Sequence, residues 1–195
     1  MVVRSETSRK AILEATMTLL DERRPDALTV QKLSIERIAR EAGVSKTTIY
    51  RWWPSKAAVV IDTFLDNHIA RTPVREDIPA IEAIQEHLTS IAEVYAGYEG
   101  RLISQLIAEC QYDPATMAEY KKRFYGHRLQ TAIDLIERAM AENSIRSDVS
   151  PRLVAELIYA PIYYRLLFAD GPLTPEAMKE ILRTVLEGIS GSGRP

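Results

Sequence analysis

Apolar residues recur at three- and four-residue spacing along almost the whole chain, and no stretch of six residues alternates apolar and polar positions as a strand would. That spacing places apolar side chains on one face of an α-helix. The first such segment runs from about Ser5 to Arg23, with Ile12, Ala15 and Leu19 on one face. The pattern predicts an all-α protein of about nine helices.

Two short helices are predicted after the first. Ser34 is expected to cap a helix over residues 35–42, because its side-chain oxygen can accept from an amide of the first turn. Gly43 is expected to end that helix, since glycine readily takes the left-handed conformation found there. Ser45 caps a third helix of about eight residues, and Pro54 ends it.

The segment "RTPVREDIP", residues 71–79, contains two prolines and mixed charge, and is predicted to be a joint between two domains, residues 1–70 and 71–195. The fourth helix, predicted over residues 55–70, precedes the joint, and Pro151 and Pro175 each begin a helix beyond it. The other expected helices cover residues 79–98, 101–111 and 114–142.

The charge of the chain is unevenly distributed. The net charge is −2, but residues 1–60 carry 11 Lys and Arg against 7 Asp and Glu. The N-terminal part is therefore net positive and the rest of the chain net negative. This difference indicates that the N-terminal part binds a polyanion, although such an excess also arises by chance on solvated helices. The single cysteine excludes an internal disulfide, and no apolar run reaches 18 residues. We therefore expect no membrane span, no secretion signal and a cytoplasmic location.

The segment "IERIAREAGVSKTTIYRWW" can form a helix-turn-helix. Ile38, Ala39, Val44 and Ile49 are apolar where two short helices must pack together, and Gly43 permits the sharp turn. The outward face of the second helix would carry donors for phosphates and base edges, and a helix of this kind fits the major groove of DNA.

The longer segment "SIERIAREAGVSKTTIYRWWPSKAAVV" resembles the DNA-binding segment of the tetracycline-repressor (TetR) family of bacterial transcription regulators, over roughly residues 7–66. Residues 157–174 resemble, more loosely, the penultimate helix and following loop of one subgroup. Two features depart from the family pattern: the loop before Ser34 is longer, and Trp52-Trp53 replaces a commoner Tyr-Phe pair. The resemblance implies an N-terminal three-helix helix-turn-helix domain, a C-terminal helical domain for ligand binding and dimerisation, and a repressor that a small molecule releases from DNA.

The resemblance also implies a role for each matching residue. The start of the recognition helix would lie nearest the bases, Tyr50 would reach a phosphate, Arg51 a base or the backbone, and Lys56 a phosphate. Trp53 is predicted to be core, whereas Trp52 is either a packing residue or an indole donor to phosphate. Lys46 and Lys56 have a plainer alternative as solvated side chains. The predicted DNA-binding residues are Ser34, Ser45, Lys46, Thr47, Thr48, Tyr50, Arg51, Trp52 and Lys56.

The helix predicted over residues 151–169 is apolar nearly all round, which indicates that one side covers its own core and the other meets a second subunit. A dimer would read a palindrome with two recognition helices spaced by about 34–36 Å or more. A monomer with a simple apolar core is the alternative. The predicted dimer residues are Leu153, Leu157, Tyr164, Ile181, Leu182, Val185 and Ile189.

Family resemblance implies a small-molecule effector in the second domain. Four of the candidate residues fall along one stripe of the long helix, and such a stripe more commonly belongs to a core. Cys110 could also belong to such a pocket, although a lone cysteine is usually a small core residue. No His, Cys or carboxylate set has metal-ligand spacing, so we predict no metal or other cofactor. The predicted ligand residues are Tyr95, Gln105, Met117, Tyr120, Phe124 and His127.

Two other functions remain open at this point. The chain could be a DNA-binding protein without an effector, or a helical enzyme whose catalytic residues come together only in the fold. The sequence contains neither a G-x-S-x-G motif nor a Gly-rich phosphate loop. We therefore expect a non-enzymatic regulator whose partners are double-stranded DNA, a second copy of itself and a small molecule.

Overall fold

The computed structural model describes residues 2–188, with the side chains of residues 2–5 and 66–70 left out of the description. All regular structure in these residues is helical, which confirms the predicted fold class. The helices are α1 (Val2–Leu20), α2 (Ile35–Glu41), α3 (Lys46–Tyr50), α4 (Lys56–Arg71), α5 (Ala80–Ala96), α6 (Tyr98–Tyr112), α7 (Pro114–Tyr120), α8 (Gly126–Ala141), α9 (Pro151–Phe168) and α10 (Pro175–Glu187), with a π-helical segment, Lys121–Tyr125, between α7 and α8.

The chain divides into two compact units. The first runs to Ile69 and also includes Arg101–Gly126, so α6 and α7 pack with the N-terminal helices. The second comprises Ala70–Gly100 and the residues from His127 onwards. The predicted division at residue 70 concerns function, and it stays a prediction.

The first unit is built around α1, α2 and α3. Ile12, Ile38 and Ile49 have no solvent exposure, and each comes from a different one of these helices. Burying these three branched side chains removes their apolar surface from water, which stabilises the packing of the three helices. Because α2 and α3 are too short to be stable alone, this shared core determines where they lie.

The second unit is built around α5, α9 and α10. Ile84 and Leu88 of α5, Ile158 and Ile162 of α9, and Met178 of α10 are all fully buried. The buried residues of α9 recur at helical spacing, so only one face of this helix is used inside the unit. Among the described residues, no helix is long and apolar enough to cross a lipid bilayer.

The predicted long helix over residues 114–142 is continuous, but its interior is not uniform. Lys121–Tyr125 forms a π-helical turn, in which the Gly126 amide donates to the carbonyl of Lys121. A π-turn inserts one residue and rotates everything after it relative to an α-helical register. The predicted stripe through Tyr120, Phe124 and His127 is therefore broken: the two aromatic residues are buried and His127 is exposed.

Gly100 lies in the first turn of α6, which begins at Tyr98. A Cβ atom at residue 100 would overlap the backbone carbonyl of Tyr95, at the end of α5. Glycine is therefore required here by the close approach of two helix ends, because only a residue without a side chain fits.

We expect Gly100→Ala to destabilise the protein by about 1–3 kcal/mol, the usual cost of forcing an extra carbon into a packed site. Chemical denaturation measures the change in the free energy of unfolding. Gly97→Ala is the matched control, because a Cβ there would approach no closer than 3.6 Å to the Val94 carbonyl. Equal stability of the two variants would contradict the close approach at Gly100.

Candidate nucleic-acid interface

Gly43 makes the turn between α2 and α3. Its φ of 64° lies in the left-handed region, which residues other than glycine rarely adopt. The turn allows the Val44 amide to donate to the carbonyl of Ala39 over 2.9 Å, and Ala39 is itself buried against the neighbouring helices. Two helices joined in this way form the predicted helix-turn-helix.

Helix α3 is fixed from inside and capped at its start. Ile49 points into the core with no exposure, while Ser45 Oγ accepts from the Thr48 amide at 3.1 Å and pairs with Thr48 Oγ1 at 2.9 Å. The opposite face, with Lys46 and Thr47, is exposed, and Tyr50 keeps 54% of its surface exposed. The helix therefore presents donors and hydroxyl groups outward, as predicted for a major-groove reader.

The recognition helix is shorter than the eight residues predicted. Its regular part ends at Tyr50, and the amides of Trp52 and Trp53 both donate to the Ile49 carbonyl, at 2.9 and 3.0 Å. Arg51 and Trp52 consequently lie in a turn. The helix cannot simply continue to α4, because the residue before Pro54 disfavours helical backbone angles. Arg51 is exposed, and its role as a DNA contact stays a prediction.

The two tryptophans have different environments. Trp53 is 1% exposed, which confirms that it is a core residue, and its indole donates to Asp62 Oδ2 over 2.7 Å. Asp62 also accepts from Arg123 at 3.3 Å, so the indole is tied through one carboxylate to the helical stretch beyond α6. Trp52 is half-buried and tilted against Trp53 at 6.2 Å between ring centroids. Both interpretations of Trp52 therefore stay open.

Lys46 is held by a carboxylate that the sequence did not single out. Its ammonium donates to Glu36 Oε1 at 2.9 Å, across the helix-turn-helix from α3 to α2. This hydrogen bond holds the pKa of Glu36 below its ordinary value and raises the pKa of Lys46. The cation predicted to lie nearest the bases must therefore exchange or share its partner when DNA binds.

Lys56 is also engaged inside the protein. Its ammonium donates to the carbonyls of Val30 and Gln31 at 2.8 and 3.3 Å, and lies 3.9 Å from a carboxylate oxygen of Glu109. Its predicted contact with a phosphate stays a prediction. Ser34 caps α2 as expected, since its Oγ accepts from the Arg37 amide at 3.3 Å.

Several cations of the same region have no carboxylate within 4.0 Å among the residues that the structure describes. Arg51 is one of them, and the others were not predicted as contacts: Lys32, Arg37 and Arg40. Arg40 lies one turn along α2 from Glu36, on the same face. Unpaired exposed cations keep their full charge for a phosphate, so these residues are further candidates for DNA contacts. The charge excess of residues 1–60 was the only signal for them.

The predicted ligand residues are divided between the two units. Gln105, Met117, Tyr120 and Phe124 belong to the first unit, and Tyr95 and His127 to the second. Within the first unit, Tyr120 and Phe124 are brought together, with ring centroids 5.5 Å apart, and Phe124 packs edge-on against Phe64.

The other predicted ligand residues have different surroundings. Gln105 accepts from the Val30 amide at 2.8 Å, and Met117 is half-buried. Tyr95 is 3% exposed and packs edge-on against Tyr163, whereas His127 is exposed. Burial, together with the nearby carboxylates of Asp113 and Glu109, raises the pKa of the Cys110 thiol to about 11, so this thiol is protonated and unreactive at neutral pH.

The second unit contains a buried polar cluster that sequence reasoning missed. His87 is 1% exposed, Arg128 donates to its Nε2 at 2.8 Å, and its Nδ1 lies 2.9 Å from Tyr159 Oη. Because a guanidinium only donates, Nε2 must be the acceptor and Nδ1 carries the proton. Burial raises the pKa of the Tyr159 phenol, which keeps it neutral. His87 falls on the apolar stripe of α5, and that spacing could have identified it.

Helix α9 has an apolar face that the described residues leave uncovered. Leu153 and Leu157 are each 52% exposed, and Tyr164 and Phe168 are 54% and 70% exposed. The predicted dimer residues of α10 differ: Leu182 is buried within the unit, Ile181 and Val185 are half-buried, and Ile189 lies outside the described residues. Among the described residues, no group of three or more His, Cys, Asp or Glu side chains could hold a metal ion.

Two family models match the chain. One, described as "Bacterial regulatory proteins, tetR family", covers residues 12–63, and the other, "Tetracyclin repressor-like, C-terminal domain", covers residues 81–185. An uncharacterized HTH-type transcriptional regulator of Bacillus subtilis, YdeS, is 35% identical over 97% of this chain and 93% of its own length. The HTH-type transcriptional regulator AqdR of Rhodococcus erythropolis is 26% identical over 78% of this chain and 70% of its own.

Solved structures share the fold. The TetR-family regulator SCO0332 superposes with a TM-score of 0.80 at 26% identity, over 98% of this chain and 100% of its own. The regulator FadR of Bacillus subtilis, solved with stearoyl-CoA, has a TM-score of 0.69 at 16% identity, over 93% and 99% of the two chains. The second similarity shows the fold alone.

We expect Glu36→Gln to raise affinity for any DNA duplex by about 1.5- to 5-fold, the range of one exposed ion pair, because it frees Lys46 and removes a negative charge beside it. Fluorescence anisotropy with a random duplex measures this. Glu41→Gln is the matched control: it changes the net charge equally, but Glu41 lies 3.6 Å from Arg24 on another side of α2. If both variants gain equally, the Glu36–Lys46 pair has no specific role.

Proposed function

This chain belongs to the TetR family of bacterial transcriptional regulators, and we propose that it represses transcription by binding a palindromic operator as a dimer and leaving it when a small molecule binds. The observation that carries the proposal is the presentation of α3. Ser45 caps it, Ile49 anchors it, and its outward face carries Lys46, Thr47 and Tyr50.

The surface around α3 supports a DNA interface. The N-terminal residues of a recognition helix are those that reach base edges in the major groove. Thr47 is exposed at that end, and Thr48 is half-buried because its hydroxyl pairs with Ser45. We therefore assign base contact to Thr47 first, with Tyr50 and Arg51 at the far end of the helix as phosphate contacts.

The apolar face of α9 supports a dimer. Large apolar side chains that are half exposed or more on one helix mark an interaction surface. A twofold axis through that face would place Leu153, Leu157 and Tyr164 of one subunit against the same patch of the other, as an isologous contact requires. Ile181 and Val185 of α10 would complete the interface. Both are half-buried within their own unit, as expected for residues at the edge of an interface centred on α9.

Release from DNA is proposed to follow the binding of a small-molecule effector. A fold neighbour, FadR, was solved with stearoyl-CoA, which supports ligand binding by this fold but names no ligand for this chain. Tyr95, Met117, Tyr120, Phe124 and His127 remain the proposed contacts. An effector would act by favouring a conformer of the dimer in which the two recognition helices no longer match the groove spacing.

We expect selection from a pool of random duplexes to enrich an inverted repeat, because a symmetric dimer presents two identical helices. Thr47→Ala should then relax preference at one or two positions in each half-site, by the roughly 1–3 kcal/mol of one base contact, and leave binding to random duplex unchanged. Enrichment of no symmetric site, or equal loss on every sequence for Thr47→Ala, would contradict the proposal.

We expect Leu157→Asp to convert the dimer to a monomer at micromolar concentration, because each subunit would then bury an unpaired carboxylate in an apolar contact. Analytical ultracentrifugation measures the mass. Tyr112→Asp is the control: this residue is 90% exposed on α6, a helix that carries no predicted dimer residue, and its replacement should leave the dimer intact. A dimeric Leu157→Asp would exclude the α9 face as the interface.

A further inference from the structure

The backbone N–H and C=O of the buried residue Val30 are both hydrogen-bonded to side chains of helices that are distant in sequence. The Val30 amide donates to Gln105 Oε1 at 2.8 Å, and the Val30 carbonyl accepts from Lys56 Nζ, also at 2.8 Å. Val30 itself is 1% exposed, so water does not replace these partners easily. We name this arrangement the Val30 clasp: Val30 with Gln105 of α6 and Lys56 of α4.

The clasp restrains the loop between α1 and α2. Residues 21–34 contain no regular helix, and a free loop of this length would sample many positions. Ser34, the cap of α2, lies only four residues beyond Val30. Fixing Val30 therefore fixes where α2 begins, and α2 in turn carries Glu36, which holds Lys46 of the recognition helix.

Helix α6 contributes a second group to the same place. Glu109 follows Gln105 by one helical turn, on the same face, and its carboxylate lies 3.9 Å from Lys56 Nζ. An ammonium has three donors. Two of them point at the carbonyls of Val30 and Gln31, and Glu109 lies beside the third. Lys56 is thus surrounded by three acceptor groups of this unit, although 26% of its side chain remains exposed.

We propose that Gln105 and Lys56 are positioning residues of the DNA-binding site, which act by holding the α1–α2 loop and hence the start of α2. The proposal rests on the proposed function, since it concerns DNA affinity. It differs from what the sequence predicts for both residues: Gln105 affects DNA binding without an effector, and Lys56 does so without a phosphate.

The first test removes the acceptor. Gln105→Leu leaves the Val30 amide without its partner, whereas Gln105→Glu keeps an acceptor oxygen in place. We expect Gln105→Leu to speed amide hydrogen exchange at Val30 by about five- to tenfold, the effect of one lost hydrogen bond, and to weaken operator affinity several-fold in the absence of any added compound. Gln105→Glu should match the wild type in both. Faster exchange with unchanged operator affinity would overturn the proposal.

The second test uses salt dependence. Each phosphate contact adds about 0.9 to the slope of log affinity against log salt concentration. We expect Lys56→Met to weaken operator binding several-fold with the slope unchanged. Lys32→Met is the comparison, since it removes an exposed cation of the same loop that is a candidate phosphate contact without touching the clasp, and its loss should lower the slope by about 0.9. A slope reduced by about 0.9 in Lys56→Met, or an unchanged affinity, would overturn the positioning role. This variant also carries the test if Gln105→Leu does not fold.

Failure of the proposed function would look different. A wild-type protein that selects no palindrome would contradict the assignment as a repressor, yet hydrogen exchange at Val30 would still respond to Gln105→Leu. A protein that binds its operator while both variants retain full affinity would leave the proposed function intact and contradict only the clasp.

Discussion

A helix of five residues has no stability of its own in water, because the cost of its first turn exceeds what so few hydrogen bonds return. The recognition helix α3 has that length. It keeps its shape because Ile49 is buried, Ser45 caps its start, and Gly43 sets its angle to α2. Every outward-facing donor on it depends on that inward anchor, so the DNA interface is only as ordered as the small core beneath it.

The positive charge of this interface is partly neutralised by the protein itself. Lys46 is paired with Glu36, and Lys56 is bound to backbone carbonyls. Non-specific binding to DNA comes almost entirely from free cations, whereas sequence-specific binding adds contacts to base edges. An interface that binds its own cations therefore loses more non-specific than specific affinity, which suits a regulator that must find one site among many.

The second unit satisfies its core with only one face of α9. Ile158 and Ile162 are buried within it, and Leu153 and Leu157, on the other face, remain half exposed. The neutral imidazole of His87 fixes the same helix from inside, since it bridges Arg128 and Tyr159. A rigid helix with an uncovered apolar face is what a second subunit requires, because a mobile face would lose more entropy on association.

The sequence determined the helical fold, the caps at Ser34 and Ser45, the turn at Gly43 and the burial of Trp53, because each depends on periodicity or on hydrogen bonds within a few residues. Only the tertiary structure decided the rest. Lys46 finds its carboxylate 10 residues away, Lys56 its carbonyl 26 residues away, and His87 its partners 41 and 72 residues away. The π-turn moved His127 out of the stripe that an α-helical count assigns to it. Side-chain type limits which partners are possible, but the packing of distant helices chooses among them, since a hydrogen bond forms only where two groups are brought within about 3 Å.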